Sequence, residues 1–141
     1  MSEHAEARDF RIHHTMLPVA DLDRSIDFYT RYLGMKVMGR RVDLARMKEV
    51  GHVGYGARDT HPSLELTKAT GSTAPIDIGP IDLHIGIQVT DLPGLCERLE
   101  KEHIGFVQGL KASGPDNRRL TAWIRDPDGH AIELIEIRSH P

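Results

Sequence analysis

Cysteine is almost missing from this chain. Cys96 is the only one in 141 residues, which excludes an internal disulfide framework and a thiolate metal cluster. An excess of one sign of charge is missing too: 18 Lys and Arg against 21 Asp and Glu leave a formal net charge of −3. No basic field exists to hold a nucleic acid or an anionic membrane surface, so neither is an expected partner. No apolar run reaches the length of a membrane span, and the opening MSEHAEARDF carries no apolar signal core. The expected address is the cytoplasm. There is no low-complexity segment. What remains is an ordinary globular composition, 39% hydrophobic and 28% charged, sufficient for one core or for two small halves. Nine histidines are a slight excess, and they direct attention to ligands.

The chain repeats itself. HHTMLPVADL (13–22) and LHIGIQVTDL (83–92) align so that His14 meets His84, Val19 meets Val89, Asp21 meets Asp91 and Leu22 meets Leu92. Each reads as a strand running into a helix. Asp21 is the expected N-cap of the first helix, with an apolar stripe at Leu22, Ile26, Tyr29 and Leu33 and a stop at Gly34. Thr90 or Asp91 caps the second, Pro93 sits in its first turn, and Leu92, Leu95, Cys96 and Leu99 share one face, with Gly105 just beyond. Further on, PSLELTK (62–68) echoes AIELIEI (131–137), so that Glu65 meets Glu133. Between helix and glutamate each half has room for two strands, at 36–42 and 49–56, then at 105–111 and 120–126. Each half is therefore expected to be β-α-β-β-β, an α+β arrangement. The first module spans 9–70, the second 81–138, and the Gly- and Pro-rich stretch 71–80 is the linker.

The last strand poses a question of its own. Glu133 and Glu136 stand on opposite faces, because successive strand side chains alternate. One of them is expected in water. The other belongs to a pattern, since each half carries a histidine on its first strand and a glutamate on its last: His14 with Glu65, and His84 with Glu133. Two imidazoles and two carboxylates suit a divalent first-row ion such as nickel, cobalt, manganese, iron or zinc, with open positions for water. Taken singly, a strand histidine is ordinarily a hydrogen-bonded residue and a strand glutamate a solvated one. Recurrence at matching repeat positions is what favours a metal.

HTMLPVADLDRSIDFYTRYLGMKV, HVGYG, LELTK and IRDPDGHAIELIE occur in that order. Together they resemble the glyoxalase I (lactoylglutathione lyase) family of the vicinal-oxygen-chelate, or glyoxalase–bleomycin resistance–dioxygenase, superfamily. The resemblance runs from Arg11 to Ile137. It implies two βαβββ modules whose mixed sheets curl around a metal cavity, with His14, Glu65, His84 and Glu133 as ligands and Glu136 turned away. It also implies a lyase that converts a hemithioacetal, formed from a 2-oxoaldehyde such as methylglyoxal and glutathione or another thiol, into a 2-hydroxyacyl thioester. Glu133 would take the proton next to the carbonyl and return it to the adjacent carbon, Glu65 being its pseudo-symmetric counterpart. One divalent ion per site (nickel, cobalt, manganese or zinc) would stabilise the enediolate. Relatives of this length form homodimers with sites at the subunit interface, which makes a second copy the expected partner beside the small-molecule substrate.

Within the same superfamily the alternatives are an epimerase, an extradiol dioxygenase using iron(II), and a non-catalytic drug binder. Epimerases tend to place glutamine where Glu65 stands, and a dioxygenase needs positions that a fourth ligand would fill. A full set of four ligands speaks against the binder. The sequence departs from the family at the thiol pocket: Pro18 stands where an arginine usually follows HTML, and Ala69 where an asparagine usually follows LELT. Lys111 is matched to a family lysine in a loop over the site, and Arg40, Arg41, Arg118 or Arg119 could supply a cation; Lys111 and Arg40 are the chosen cosubstrate contacts. Among the rest, His13 is expected opposite to His14, and His4, His61, His103, His130 and His140 are expected in solvent. His52 is a weaker candidate for the cavity wall, Trp123 and Cys96 are assigned to the core, and DPDG (126–129) to a tight turn.

Overall fold

The computed structural model describes residues 6–139, so His4 and His140 lie outside the described residues. The chain divides into two compact units, Met1–Asp77 and Ile78–Pro141. Unit 1 runs β1 (His14–Pro18), α1 (Leu22–Leu33), β2 (Lys36–Asp43), β3 (Lys48–Gly54) and β4 (Ser63–Ala69). Unit 2 runs β5 (His84–Gln88), α2 (Leu92–Lys101), β6 (Phe106–Ser113), β7 (Arg119–Arg125) and β8 (Ala131–Ile137). Each unit is one four-stranded mixed sheet with one helix. The strand orders are β1-β4-β3-β2 and β5-β8-β7-β6. In both, the first strand lies parallel to the last, and the remaining neighbours are antiparallel. The fold is α+β and open, with neither sheet closing on itself. Among the described residues no helix is long and apolar enough to cross a membrane.

Local chemistry sets the helix ends. The Asp21 carboxylate accepts the Arg24 N–H at 3.0 Å, and Gly34 ends α1 in the left-handed region at φ 70. The Asp91 carboxylate, not Thr90, caps α2 by accepting the Gly94 N–H at 3.1 Å. The left-handed residue behind α2 is His103 at φ 60, after which the Ile104 N–H returns to the Leu99 carbonyl at 2.9 Å. Helix α1 buries Leu22, Ser25, Phe28, Tyr29 and Leu33. It sits so close to its sheet that a Cβ on Gly51 of β3 would meet Ile26 Cδ1 at 3.0 Å and Leu22 Cδ1 at 3.2 Å. Helix α2 buries Leu92, Leu95, Cys96 and Leu99, confirming Cys96 as a core residue. Each large aliphatic or aromatic side chain taken fully out of water stabilises its unit by roughly 1.5–3 kcal/mol.

Glu136 is not in water. It is buried at 8% exposure, and its Oε1 accepts the Leu92 N–H at the start of α2 at 3.1 Å while Oε2 accepts from Arg138 Nε at 2.9 Å. The carboxylate thus satisfies an otherwise orphaned helix donor and complements the positive end of the helix. The Arg138 hydrogen bond, then the Leu92 N–H, hold its carboxyl below the usual glutamate range. His130 is likewise buried, at 6%, where solvent was expected. The DPDG turn explains this: the Asp126 carboxylate accepts both the Asp128 and His130 N–H at 2.9 Å and draws the backbone inward. Gly129 takes φ 96, which a side chain would strain.

A lowered folded-state pKa means that Glu136 contributes stability above its unfolded value of about 4.3, a contribution lost as pH falls through the folded value. Glu136→Gln should therefore cost roughly 1–3 kcal/mol in urea unfolding at pH 7. The gap between variant and wild type should narrow below about pH 4.3; a gap independent of pH would contradict this role.

Candidate functional site

Register decides which side chains share a face. In unit 1, Gly39 pairs with His52, His52 with Glu65, and Glu65 with Met16, forming one row across four strands. The next row is Arg41, Val50, Thr67 and Pro18, and His14 stands in the preceding row beside Ser63. Alternate residues share a face, so His14, His52, Glu65 and Arg41 lie on one side of the sheet. The other side carries Gly51 and meets α1. Unit 2 repeats the pattern with Gln108, Trp123, Glu133 and Gly86 in one row, then Lys111, Thr121, Ile135 and Gln88, with His84 beside Ala131. Trp123 therefore stands where unit 1 has His52, and Lys111 where unit 1 has Arg41.

Each unit brings its histidine and glutamate together. His14 Nε2 lies 3.3 Å from Glu65 Oε2, and His84 Nε2 lies 3.2 Å from Glu133 Oε2. The Nδ1 of His84 donates to the Asp82 carbonyl at 2.8 Å, which fixes the ring and leaves Nε2 as the electron-pair donor of the neutral imidazole. The Nδ1 of His14 meets His13 Nδ1 at 2.8 Å; with His14 as donor, its Nε2 is left bare in the same way. A lone pair facing a carboxylate oxygen is unfavourable, and either a shared proton or a shared metal ion relieves it. These nitrogen and oxygen donors, without thiolate, fit a first-row divalent ion. Among the described residues no group of three or more His, Cys, Asp or Glu forms a metal cluster of its own. What each unit offers is a pair.

The surroundings of the two pairs differ. Glu133 Oε1 accepts from Arg119 Nη2 at 3.1 Å, and the Trp123 ring packs on His84 with centroids 4.8 Å apart. Trp123 is thus half-buried on the site face and lines a cleft of about 410 Å³ with His84, Ile81, Val107 and Gln108, instead of sitting in the core. In unit 1 the corresponding His52 is 1% exposed. Its Nε2 lies 2.9 Å from Arg41 Nη1 and 3.3 Å from Arg58 Nη2, and its Nδ1 lies 3.0 Å from Ser63 Oγ. Guanidinium groups can only donate, so Nε2 accepts and Nδ1–H donates to the serine. Burial, and next the Arg58 charge, lower its pKa and keep it neutral. Its lone pair is already engaged, although Nε2 is 3.7 Å from Glu65 Oε2.

Several sequence expectations land elsewhere. Arg40 does not join the site face: its Nη1 reaches Asp23 of α1 at 2.6 Å on the opposite side. Lys111 lies on the site face, but within β6 and not in a loop. His13 does not point away from His14, because it precedes the strand and its ring turns back to within 5.1 Å. His61 and His103 are exposed, as expected. Arg118 bonds Asp116 at 3.5 Å, near the loop that precedes β7. His52, Arg41, Arg58 and Arg119 are the residues that sequence reasoning weighted too little. Pairing strands residue by residue would have found the first two, since Glu65, His52 and Gly39 form one row and Arg41 is two residues further on.

A sequence model of the Glyoxalase/Bleomycin resistance protein/Dioxygenase superfamily matches residues 11–134. A lactoylglutathione lyase of Escherichia coli O157:H7 is 38% identical over 128 residues, 89% of this chain and 92% of that protein. One from Neisseria meningitidis serogroup B is 36% identical over 131 residues, 92% of each chain. Among solved structures, the trypanothione-dependent glyoxalase I of Leishmania major superposes with a TM-score of 0.74 at 34% identity, covering 90% of this chain and 86% of that one.

His52→Phe keeps an aromatic ring, a slightly larger one, and removes both nitrogens, leaving Ser63, Arg41 and Arg58 without their partner. The expected cost is roughly 1–3 kcal/mol in urea unfolding, with an unchanged m-value. A variant as stable as wild type would show that this network holds nothing in place.

Proposed function

The chain belongs to the Glyoxalase/Bleomycin resistance protein/Dioxygenase superfamily, and from that premise we propose that it is a metal-dependent, glyoxalase I-type lyase. It is an enzyme, and its named relatives are lactoylglutathione lyases. The proposed substrate is the hemithioacetal of a 2-oxoaldehyde, methylglyoxal in the first instance, with glutathione or another thiol. The product is the 2-hydroxyacyl thioester, and the aldehyde is thereby detoxified. One observation carries the reading: in each unit an imidazole Nε2 and a carboxylate Oε2 face each other at 3.3 and 3.2 Å.

His14, Glu65, His84 and Glu133 would hold the divalent ion, with nickel, cobalt, manganese and zinc all compatible with this donor set. When bound, the ion supplies Lewis-acid stabilisation of the negative charge that develops on the substrate oxygens, an effect of several kcal/mol. The chain's own residues do the rest. Glu133 takes the proton from the carbon that bears the sulfur and delivers it to the neighbouring carbon, while the hydroxyl proton of the first carbon passes to the former carbonyl oxygen, so the reaction is a net isomerisation that consumes no oxidant or reductant. Arg119 holds Glu133 Oε1 and so orients the carboxylate while Oε2 faces His84. Asp82, through its carbonyl, sets the tautomer of His84. Trp123 walls the cleft and limits water at the reacting carbon. Glu65 is the counterpart carboxylate in unit 1. We propose a cytoplasmic homodimer in which each centre draws one pair from each subunit.

Metal-loaded protein should convert methylglyoxal and glutathione to thioester, followed by ultraviolet absorbance. Glu133→Gln should lower kcat by about 10²–10⁴-fold while leaving the melting curve near wild type. Retention of most activity would remove Glu133 from its role. Metal analysis of dialysed protein should give about one ion per His–Glu pair of pairs, and His84→Ala should weaken binding by at least about 10–100-fold; undiminished metal content in that variant would exclude the proposed ligand set.

A further inference from the structure

The glutamates of the two His–Glu pairs are alike in burial, at 17% exposure for Glu65 and 13% for Glu133, and alike in distance to their histidines. Their charged neighbours differ. Among the described residues no lysine or arginine comes within 4 Å of Glu65, whose further polar contacts are Thr67 Oγ1 at 3.5 Å and the neutral His52 at 3.7 Å. Glu133 has one oxygen taken. Arg119 Nη2 donates to its Oε1 at 3.1 Å, which leaves Oε2 alone toward His84. Strand pairing by itself does not produce this contact. Trp123 stands directly opposite Glu133, whereas Arg119 pairs with Ile137 at the first position of β7. Alternation puts Arg119 on the same face as Thr121 and Trp123, so its long side chain runs along that face to reach the carboxylate. Glu133 is thus held between a guanidinium and an aromatic ring, and Glu65 has neither.

We propose that Arg119 is a positioning residue that confines Glu133 to a single oxygen, making it the more weakly metal-held of the two glutamates and holding it in place without help from the ion. This rests on the lyase reading above, in which Glu133 is both a ligand and the carrier of a proton. A guanidinium on Oε1 leaves no second oxygen for bidentate chelation, and its positive charge opposes a divalent cation at Oε2. The same hydrogen bond orients the carboxylate as a base. Glu65, with no guanidinium of its own, is left as the firmer ligand. The equivalence of the two carboxylates is thus broken by an arginine of β7 and not by the four ligand positions themselves.

The test is the affinity of the full chain for nickel alone, measured by competition with a chromogenic chelator. Arg119 is half-exposed, so Arg119→Met should leave the melting curve near wild type. That variant should bind nickel about tenfold more tightly, the scale of one unit charge near a divalent ion in a water-like dielectric. A residue that merely braced the sheet would weaken binding when removed. Arg119→Lys keeps the charge and should stay within about threefold of wild type. Glu133→Gln should lower nickel affinity less than Glu65→Gln in the wild-type background, and equally in the Arg119→Met background. With methylglyoxal and glutathione, Arg119→Met should lower kcat at least about tenfold while KM moves less than about threefold. If Arg119→Met does not fold, Arg119→Gln is read in the same way. Unchanged or weaker nickel binding on losing the arginine, equal effects of the two glutamine substitutions in wild type, an undiminished kcat, or no nickel uptake by wild type would overturn the assignment. Turnover separates the two readings. Tighter binding in Arg119→Met, with no hemithioacetal converted by wild type, removes the lyase assignment and leaves the hold of Arg119 on Glu133 standing. Conversion by wild type with no change in nickel affinity on losing the arginine does the reverse.

Discussion

Parallel pairing of the first strand with the last is the interaction on which each unit depends. Residues far apart in sequence, His14 and Glu65 or His84 and Glu133, become neighbours only because β1 lies against β4 and β5 against β8. A parallel pair needs a crossover, and the capped helix supplies it. The helix in turn covers one face of the sheet, which leaves the other face to carry polar side chains. A period of two then sorts every strand residue between these faces. The two His–Glu pairs are thus a by-product of topology: once the helix has chosen its side, the histidine and glutamate have no other place to be.

The two units use one scaffold for different electrostatic ends. In unit 1 the row through Glu65 carries a neutral, buried histidine with two guanidinium groups attached. In unit 2 the same row carries Trp123 against His84, and the guanidinium of Arg119 goes directly to Glu133. One carboxylate therefore has a positive partner of its own and an aromatic wall. The other lies 3.7 Å from the nitrogen of His52 to which two guanidinium groups donate. One scaffold, used twice, thus carries two different electrostatic environments.

Much of this was legible in the sequence, and the exceptions have identifiable causes. Asp21, Gly34 and Asp91 announce helix ends through their own chemistry, and the two His–Glu pairs show because the chain carries the pattern twice. The choice of Arg40 over Arg41 fails for a geometric reason. The pairing of β2 with β3 shifts between Val37 and Gly39, so a bulge reverses the alternation counted from the start of the strand. Arg40 then faces α1, and Arg41 takes the site face. Bulges in β6 similarly obscured where Lys111 would lie. Glu136 was misjudged because a strand glutamate is solvated by default, and nothing local reveals that a helix 44 residues earlier in the chain presents it with an unpaired N–H. His130 was misjudged because its burial comes from the Asp126 turn and not from any hydrophobic pattern.

Strand β8 holds a carboxylate on each side, Glu133 toward the histidine and Glu136 beneath the start of α2. Sliding the strand lengthwise by one position would carry both acids to the wrong surfaces at once, stripping the helix of its anchor as it parted Glu133 from His84. The two attachments act as opposed latches, so the position of Glu133 is held by the packed interior and not by a free strand edge. The closeness of Glu133 to His84 is thereby tied to the stability of the helix.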